Sequence, residues 1–172
     1  MSTETAEPWA RTSNTSPNGD GTFAIVYTID VENTGDVELD DVEVTDGLLA
    51  AWGGALSGGT ASISSGTCVV NAGYDGVADT SLLEVGQTFD PAEACSIQVT
   101  ATIDVAGDPS VLGVPQTNTA DAQGTPPGDS PVSDSDTAEA TVDTAPSIDV
   151  VKTAGTPVSN GDGTFDVVYT ID

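Results

Sequence analysis

The chain has 172 residues, of which 28 are acidic and two are basic, Arg11 and Lys152; it has no histidine, and its formal net charge is -26. Charge of that sign repels phosphate backbones and anionic headgroups, which excludes nucleic acid as a partner and disfavours binding to a membrane surface, and no stretch is apolar and long enough for direct membrane insertion. Without histidine, Ser-His-Asp and Cys-His catalytic arrangements are excluded by composition, while 37% hydrophobic and 5% aromatic residues suffice for a thin β-sandwich core.

Residues 1–17 read as a leader or an atypical first strand. They carry Trp9, which fits either a core position or an anchor between subunits, and the glycosylation sequon Asn14-Thr15-Ser16. Asn18-Gly19-Asp20-Gly21 is a turn, because Asn-Gly and Asp-Gly supply the positive-φ positions of tight hairpins. A strand follows over 22–32. Phe23, Ile25, Tyr27, Ile29 and Val31 share one face, and Ala24, Val26, Thr28 and Asp30 share the other. Asn33-Thr34-Gly35-Asp36 makes the next turn. In 37–46, Val37 and Leu39 have one phase and Val42 and Val44 the opposite one. That slip at Asp40-Asp41 predicts a β-bulge or a strand that changes sheets.

Residues 47–66 are rich in Gly, Ala and Ser and read as a loop with one short strand at 60–64. Trp52, after the apolar run Leu48-Leu49-Ala50-Ala51, is expected to cap the core. Strands are expected at 67–71 and 81–85. From Cys95 to Val105 the alternation is clean again, with Ile97, Val99, Ala101, Ile103 and Val105 inward. A weaker strand is expected at 115–122, a Pro/Ser/Asp loop at 124–135, and a last strand through Ala138, Ala140 and Val142. Thr144-Ala145-Pro146 reads as a linker, and Ile148 and Val150 open a further module. No amphipathic helix is expected. Short strands separated by Gly/Pro turns predict an all-β, antiparallel Greek-key sandwich of the immunoglobulin-like kind over 18–143.

The chain then repeats itself. NGDGTFAIVYTID (18–30) returns as NGDGTFDVVYTID (160–172), identical at 11 of 13 positions with an offset of 142. The two changes, Ile25 to Val167 on the inward face and Ala24 to Asp166 on the outward face, suit a strand with one buried side. Residues 147–172 are thus the start of a second copy. One or two strands cannot hold a core of their own, so either the natural chain continues or another molecule completes them. The expected assembly residues are Ile148, Val150, Phe165, Val167, Tyr169 and Ile171.

Joined across the repeat, the module reads TFDVVYTID-VENTGDVELDDVEVTDGL. Through Tyr27, Thr28, Ile29, Val31, Asn33, Thr34, Gly35, Asp36, Leu39, Val42, Val44, Thr45 and Asp46 this resembles the DUF11-type conserved repeat. Lys152 matches the lysine that commonly opens such repeats; the first copy has Ala10 and Arg11 in that region. The resemblance implies an immunoglobulin-like sandwich in tandem arrays on bacterial and archaeal surface proteins, acting as stalks, adhesins or fibre building blocks. It brings no catalytic residues to transfer.

Cys68 and Cys95 have no partners for a zinc site and read as a disulfide rather than two free buried thiols. A disulfide implies an oxidising compartment, hence an extracellular or cell-surface location. No catalytic, cofactor-binding or metal residue is assigned. Calcium remains an option at Asp20, Asp36, Asp40, Asp41, Asp46 and Asp162, although turn chemistry explains such residues better. An isopeptide bond from Lys152 would need a buried lysine beside an acid, and Lys152 reads as an exposed strand residue. Together these features predict a non-enzymatic, structural repeat module of an extracellular array, fibre or filament, with neighbouring copies of the same repeat as its partner. The alternative is an adhesin-type module that recognises a glycan or protein through the Gly-rich loop 53–66.

Overall fold

In the computed structural model, which describes residues 13–172, two four-stranded antiparallel sheets share one core. The first sheet has the order β1 (Ser13–Pro17), β2 (Thr22–Glu32), β6 (Ala94–Asp104), β4 (Leu56–Ser65). The second has the order β5 (Gln87–Phe89), β3 (Leu39–Asp46), β7 (Gln116–Thr125), β8 (Val132–Ala140). Strands β1-β2-β6-β4 thus take the A-B-E-D places of an immunoglobulin-type sandwich and β3-β7-β8 the C-F-G places. Strand β5 is an addition outside β3, inserted in the connection between β4 and β6.

The two long alternating segments pair with each other at the centre of the first sheet. Ile25 faces Ala101, Tyr27 faces Val99, Ile29 faces Ile97 and Val31 faces Cys95. Directly opposed residues project to the same side of a sheet, so this register puts both apolar rows on one face, and all eight residues are buried. From the second sheet Val42, Val44, Phe89, Ala120, Ala138 and Ala140 close over them.

The slip expected at Asp40-Asp41 is present. The β3–β5 register shifts between Leu39 and Val42, the β3–β7 register shifts between Asp40 and Glu43, and Asp41 has φ 49°. The bulge turns Val42 and Val44 inward. Asn33, buried in the preceding turn, fixes that entry. Its Nδ2 donates to the carbonyls of Val37 and Phe89 at 2.8 Å each, and its Oδ1 accepts from Gly35 N–H at 3.0 Å.

The middle of the chain differs from expectation. Leu48–Trp52 is one short helix, α1, followed by a 3-10 turn at Gly53–Ala55. Beyond it the Gly/Ser-rich segment is not a loop but β4, ten residues long, paired to β6 throughout. Its small residues obscured the alternation, and they are needed there. A Cβ on Gly59 would lie 2.7 Å from the Asp75 carbonyl oxygen and 2.7 Å from Leu48 Cδ1, so glycine lets the 66–86 connection and α1 pack over the strand. The strands expected at 67–71 and 81–85 reduce to a bridge between Val70 and Leu83. The second of these segments bonds instead along β3, with Leu82 N–H donating to the Val44 carbonyl at 2.7 Å. The expected loop at 124–135 is shorter, since β7 runs to Thr125 and β8 starts at Val132. Trp52 is buried at the core edge, as expected.

Cys68 and Cys95 form a disulfide with a Cα–Cα distance of 6.1 Å. It ties the irregular 66–86 connection to the first turn of residues in β6. Closing a loop of this span contributes about 3 kcal/mol in the chain-entropy treatment. The intact mass is expected to rise on full reduction, and two free thiols in the native protein would reject the bridge. Ile97→Ala, at the centre of the paired rows, is expected to lower the unfolding free energy by about 2–5 kcal/mol in a urea titration.

Candidate functional site

Two features stand apart from routine packing: a polar cluster inside the sandwich and an apolar surface at 147–172.

The cluster begins at the ends of β3 and α1. The inward phase Val42-Val44 continues to Asp46, whose side chain is fully buried. On the neighbouring β7 the inward phase holds Asn118 and Ala120. Asn118 Nδ2 donates to Asp46 Oδ2 at 2.8 Å, and Asn118 Oδ1 has no hydrogen-bond partner among the described residues. Below the pair, Trp52 Nε1 donates to Tyr27 Oη at 3.1 Å. Tyr74, from the 66–86 connection, is buried nearby, and its hydroxyl also lacks a partner among the described residues. Burial, opposed by the Trp52 hydrogen bond and aided by the Asp46 charge, pushes the Tyr27 phenol up to about 12. Burial first, then the Asp46 charge, raises Tyr74 as well. A carboxylate in such a core is costly unless its surroundings compensate it. Sequence reasoning placed Asp46 among surface turn acids, and the inward position of Asn118 was not read at all. Its signal was a lone amide in the apolar phase of 118, 120 and 122.

The other acids behave as turn residues. Asp20 Oδ1 accepts from Thr22 N–H at 3.0 Å and Thr22 Oγ1 at 2.7 Å, and Asp162 repeats the arrangement with Thr164 at 2.9 and 2.6 Å. Those bonds, the threonine hydroxyl foremost, hold both carboxyls below the usual carboxylate range. Asp36, Asp40 and Asp41 are exposed. Among the described residues no three or more Cys, Asp or Glu side chains gather in a way that could hold a metal ion.

Residues 147–172 hold two short antiparallel strand pairs. Strand β10 (Val158–Ser159) pairs with β11 (Phe165–Asp166), and β9 (Lys152–Ala154) pairs with β12 (Tyr169–Ile171). The Asn160 N–H donates to the Thr164 carbonyl at 3.0 Å, just as Asn18 does to Thr22 at 3.0 Å. What differs is burial. Ile25, Tyr27 and Ile29 are at most 3% exposed, whereas Val167, Tyr169 and Ile171 are 38%, 56% and 66% exposed; Phe165, Ile148 and Val150 are exposed too. Lys152 Nζ lies 4.6 Å from the centre of the Tyr169 ring, a cation–π contact. Residues 144–146 are exposed and outside any strand. Trp9 and Arg11 lie outside the described residues, as does the side chain of Asn14.

The chain matches no protein-family model and no curated protein. Among solved structures it is similar to the collagen-binding subdomain ACE19 of the Enterococcus faecalis surface protein ACE. That likeness has a TM-score of 0.40 and 13% identity over 81% of this chain and 100% of that one. A protein from Archaeoglobus fulgidus is similar at a TM-score of 0.32 and 13% identity, over 79% of this chain and 98% of that one. The strand order described above, rather than these loose likenesses, defines the sandwich.

Two measurements follow from the cluster. Asn118→Ala is expected to lower stability by about 1–3 kcal/mol, because it strips a buried hydrogen bond from Asp46. Asp121→Ala, exposed on the same strand, should change it by less than about 0.5 kcal/mol. A tyrosine whose folded pKa is raised lends stability that is complete below its unfolded value of 10.0 and is lost as pH rises towards the folded value of about 12. Urea midpoints should therefore be insensitive to Tyr27 and Tyr74 below pH 10 and fall above it. A Tyr27→Phe chain should show a shallower fall.

Proposed function

We propose that the chain is a structural repeat module of an extracellular or cell-surface array, fibre or filament, of the DUF11-like kind that its strand motif resembles, and that copies join through 147–172. The observation that carries this reading is the contrast between two nearly identical segments. One buries Ile25, Tyr27 and Ile29 in a sandwich with Phe23 partly buried beside them, and the other leaves the matching Phe165, Val167, Tyr169 and Ile171 exposed. A strand with that pattern is stable against a partner sheet. Residues 147–172 therefore dock on a neighbouring module, by strand addition in the extreme case.

The remaining chemistry is consistent with a passive role. The disulfide suits an oxidising compartment, and the acidic surface keeps arrays soluble and extended through self-repulsion. The rival reading, ligand capture through a Gly-rich loop at 53–66, loses its loop, because Leu56–Ser65 is a strand bonded into the first sheet.

Light scattering after size exclusion, across a concentration series, tests the proposal. The full chain is expected to form concentration-dependent oligomers, and a chain ending at 143 is expected to stay monomeric. Equal self-association of the two chains would reject the role of 147–172.

A further inference from the structure

The register of the second copy shows where its opening segment sits in a finished repeat. Lys152 pairs with Ile171 and Thr153 with Thr170, and Val151 exchanges both backbone bonds with Asp172, at 3.2 and 2.9 Å. With the offset of 142, Thr170-Ile171-Asp172 repeats Thr28-Ile29-Asp30. Continued one step further, the same register sets Val150 at the Val31 place, and two residues on it sets Ile148 at the Asn33 place. Alternate residues of a strand share a face, and directly opposed residues share a side. Ile148, Val150 and Lys152 are therefore the inward row of that strand.

The first copy displays a surface that matches this row. Beyond Tyr27, β2 pairs only with β6 among the described residues. Beside that edge, Val31, Val37, Leu39, Val42, Phe89 and Val132 line an apolar groove at the end of the sandwich where β2 finishes. Val37 and Val132 are 47% and 52% exposed. Next to the groove, Ile29 lines a small cavity together with Asp30, Asp121 and Asp134, and all three acids are exposed. A segment that suits this surface has two apolar side chains two residues apart and a cation two residues further on. Residues 148–152, Ile-Asp-Val-Val-Lys, have that pattern, and Lys152 is the one cation among the described residues. Ile148 and Val150 are 98% and 69% exposed.

We propose that this groove is the acceptor for residues 148–153 of a second copy of the chain, an inference that rests on the reading of 147–172 as the joining segment. Ile148 and Val150 enter the groove, and Lys152 meets the carboxylates at its side. The segment exchanges its pairing with Thr170-Ile171-Asp172 for pairing with the identical Thr28-Ile29-Asp30 of the next copy, so few backbone hydrogen bonds are lost. Chains of this acidity repel one another over most of their surface, which makes the match of lysine to carboxylates the orienting element. Donor and acceptor are different surfaces, so the contact is head-to-tail and extends from copy to copy.

Full-length variants that each lose one surface test this by mixing, with mass read by light scattering. Val37→Asp removes the acceptor and Ile148→Asp the donor. Each alone is expected to stay monomeric. Mixed, they are expected to form a one-to-one dimer of twice the 17.2 kDa chain mass, which also shows that both are folded. Val132→Asp should behave as Val37→Asp does. Val85→Asp, at a site 95% exposed and outside the groove, should associate as the unsubstituted chain does and so controls for the added charge. Acceptor variants that associate like the unsubstituted chain would overturn the proposal, the outcome expected where residues 1–12 fill the groove themselves. A monomeric Ile148→Asp chain would then leave the joining role of 147–172 standing. Failure of the mixture to dimerise overturns the proposal as well, and an unsubstituted chain that never associates defeats both readings.

Discussion

The pairing of β2 with β6 is the constraint on which the molecule depends. Eleven consecutive residue pairs hold the two strands in one register. A slip of a single residue would send Ile25, Tyr27, Ile29 and Val31 to the solvent face. With that register fixed, β1 and β4 can only add at the two outer edges, and one wide apolar surface results. The second sheet then has a single task, to cover that surface. It does so with Val42, Val44 and Phe89 and with the small residues Ala120, Ala138 and Ala140.

The polar cluster is also positioned by this pairing. Tyr27 sits midway along β2, and its hydroxyl receives the Trp52 N–H, which locks α1 over the end of the core. Asp46 and Asn118 close the same end from the second sheet. A buried acid and amide in contact restrict how β3 and β7 meet, since a buried amide is costly without its hydrogen bonds.

Where apolar residues alternate, the fold was legible from the chain. Residues 22–32, 95–105 and the phase slip at Asp40-Asp41 specify strand, partner face and bulge directly. The same logic failed for β4, whose Gly, Ser and Thr side chains carry no alternation of hydrophobicity. Its strand state is imposed by the free edge of β6 and by the need for close approach at Gly59. It failed again at 67–71 and 81–85, where backbone bonds to β3 and an Asn71-centred turn override local propensity. The candidate site was half legible. The apolar alternation within 147–172 follows from the repeat alone. The Asp46–Asn118 contact joins residues 72 positions apart, and only the inward phase of a polar residue hinted at it.

One strand sequence, present twice, is buried in a sandwich in its first copy and exposed in its second, and the proposed docking of 147–172 predicts that association covers the second. Amide hydrogen exchange reads this residue by residue, because protection tracks burial and stable pairing. In dilute monomer, the amides of Phe23–Ile29 should exchange slowly and those of Phe165–Ile171 rapidly. At concentrations where copies associate, the second set should slow towards the first. Strong protection of both segments in the monomer, or rapid exchange at 165–171 in the assembled state, would contradict the account.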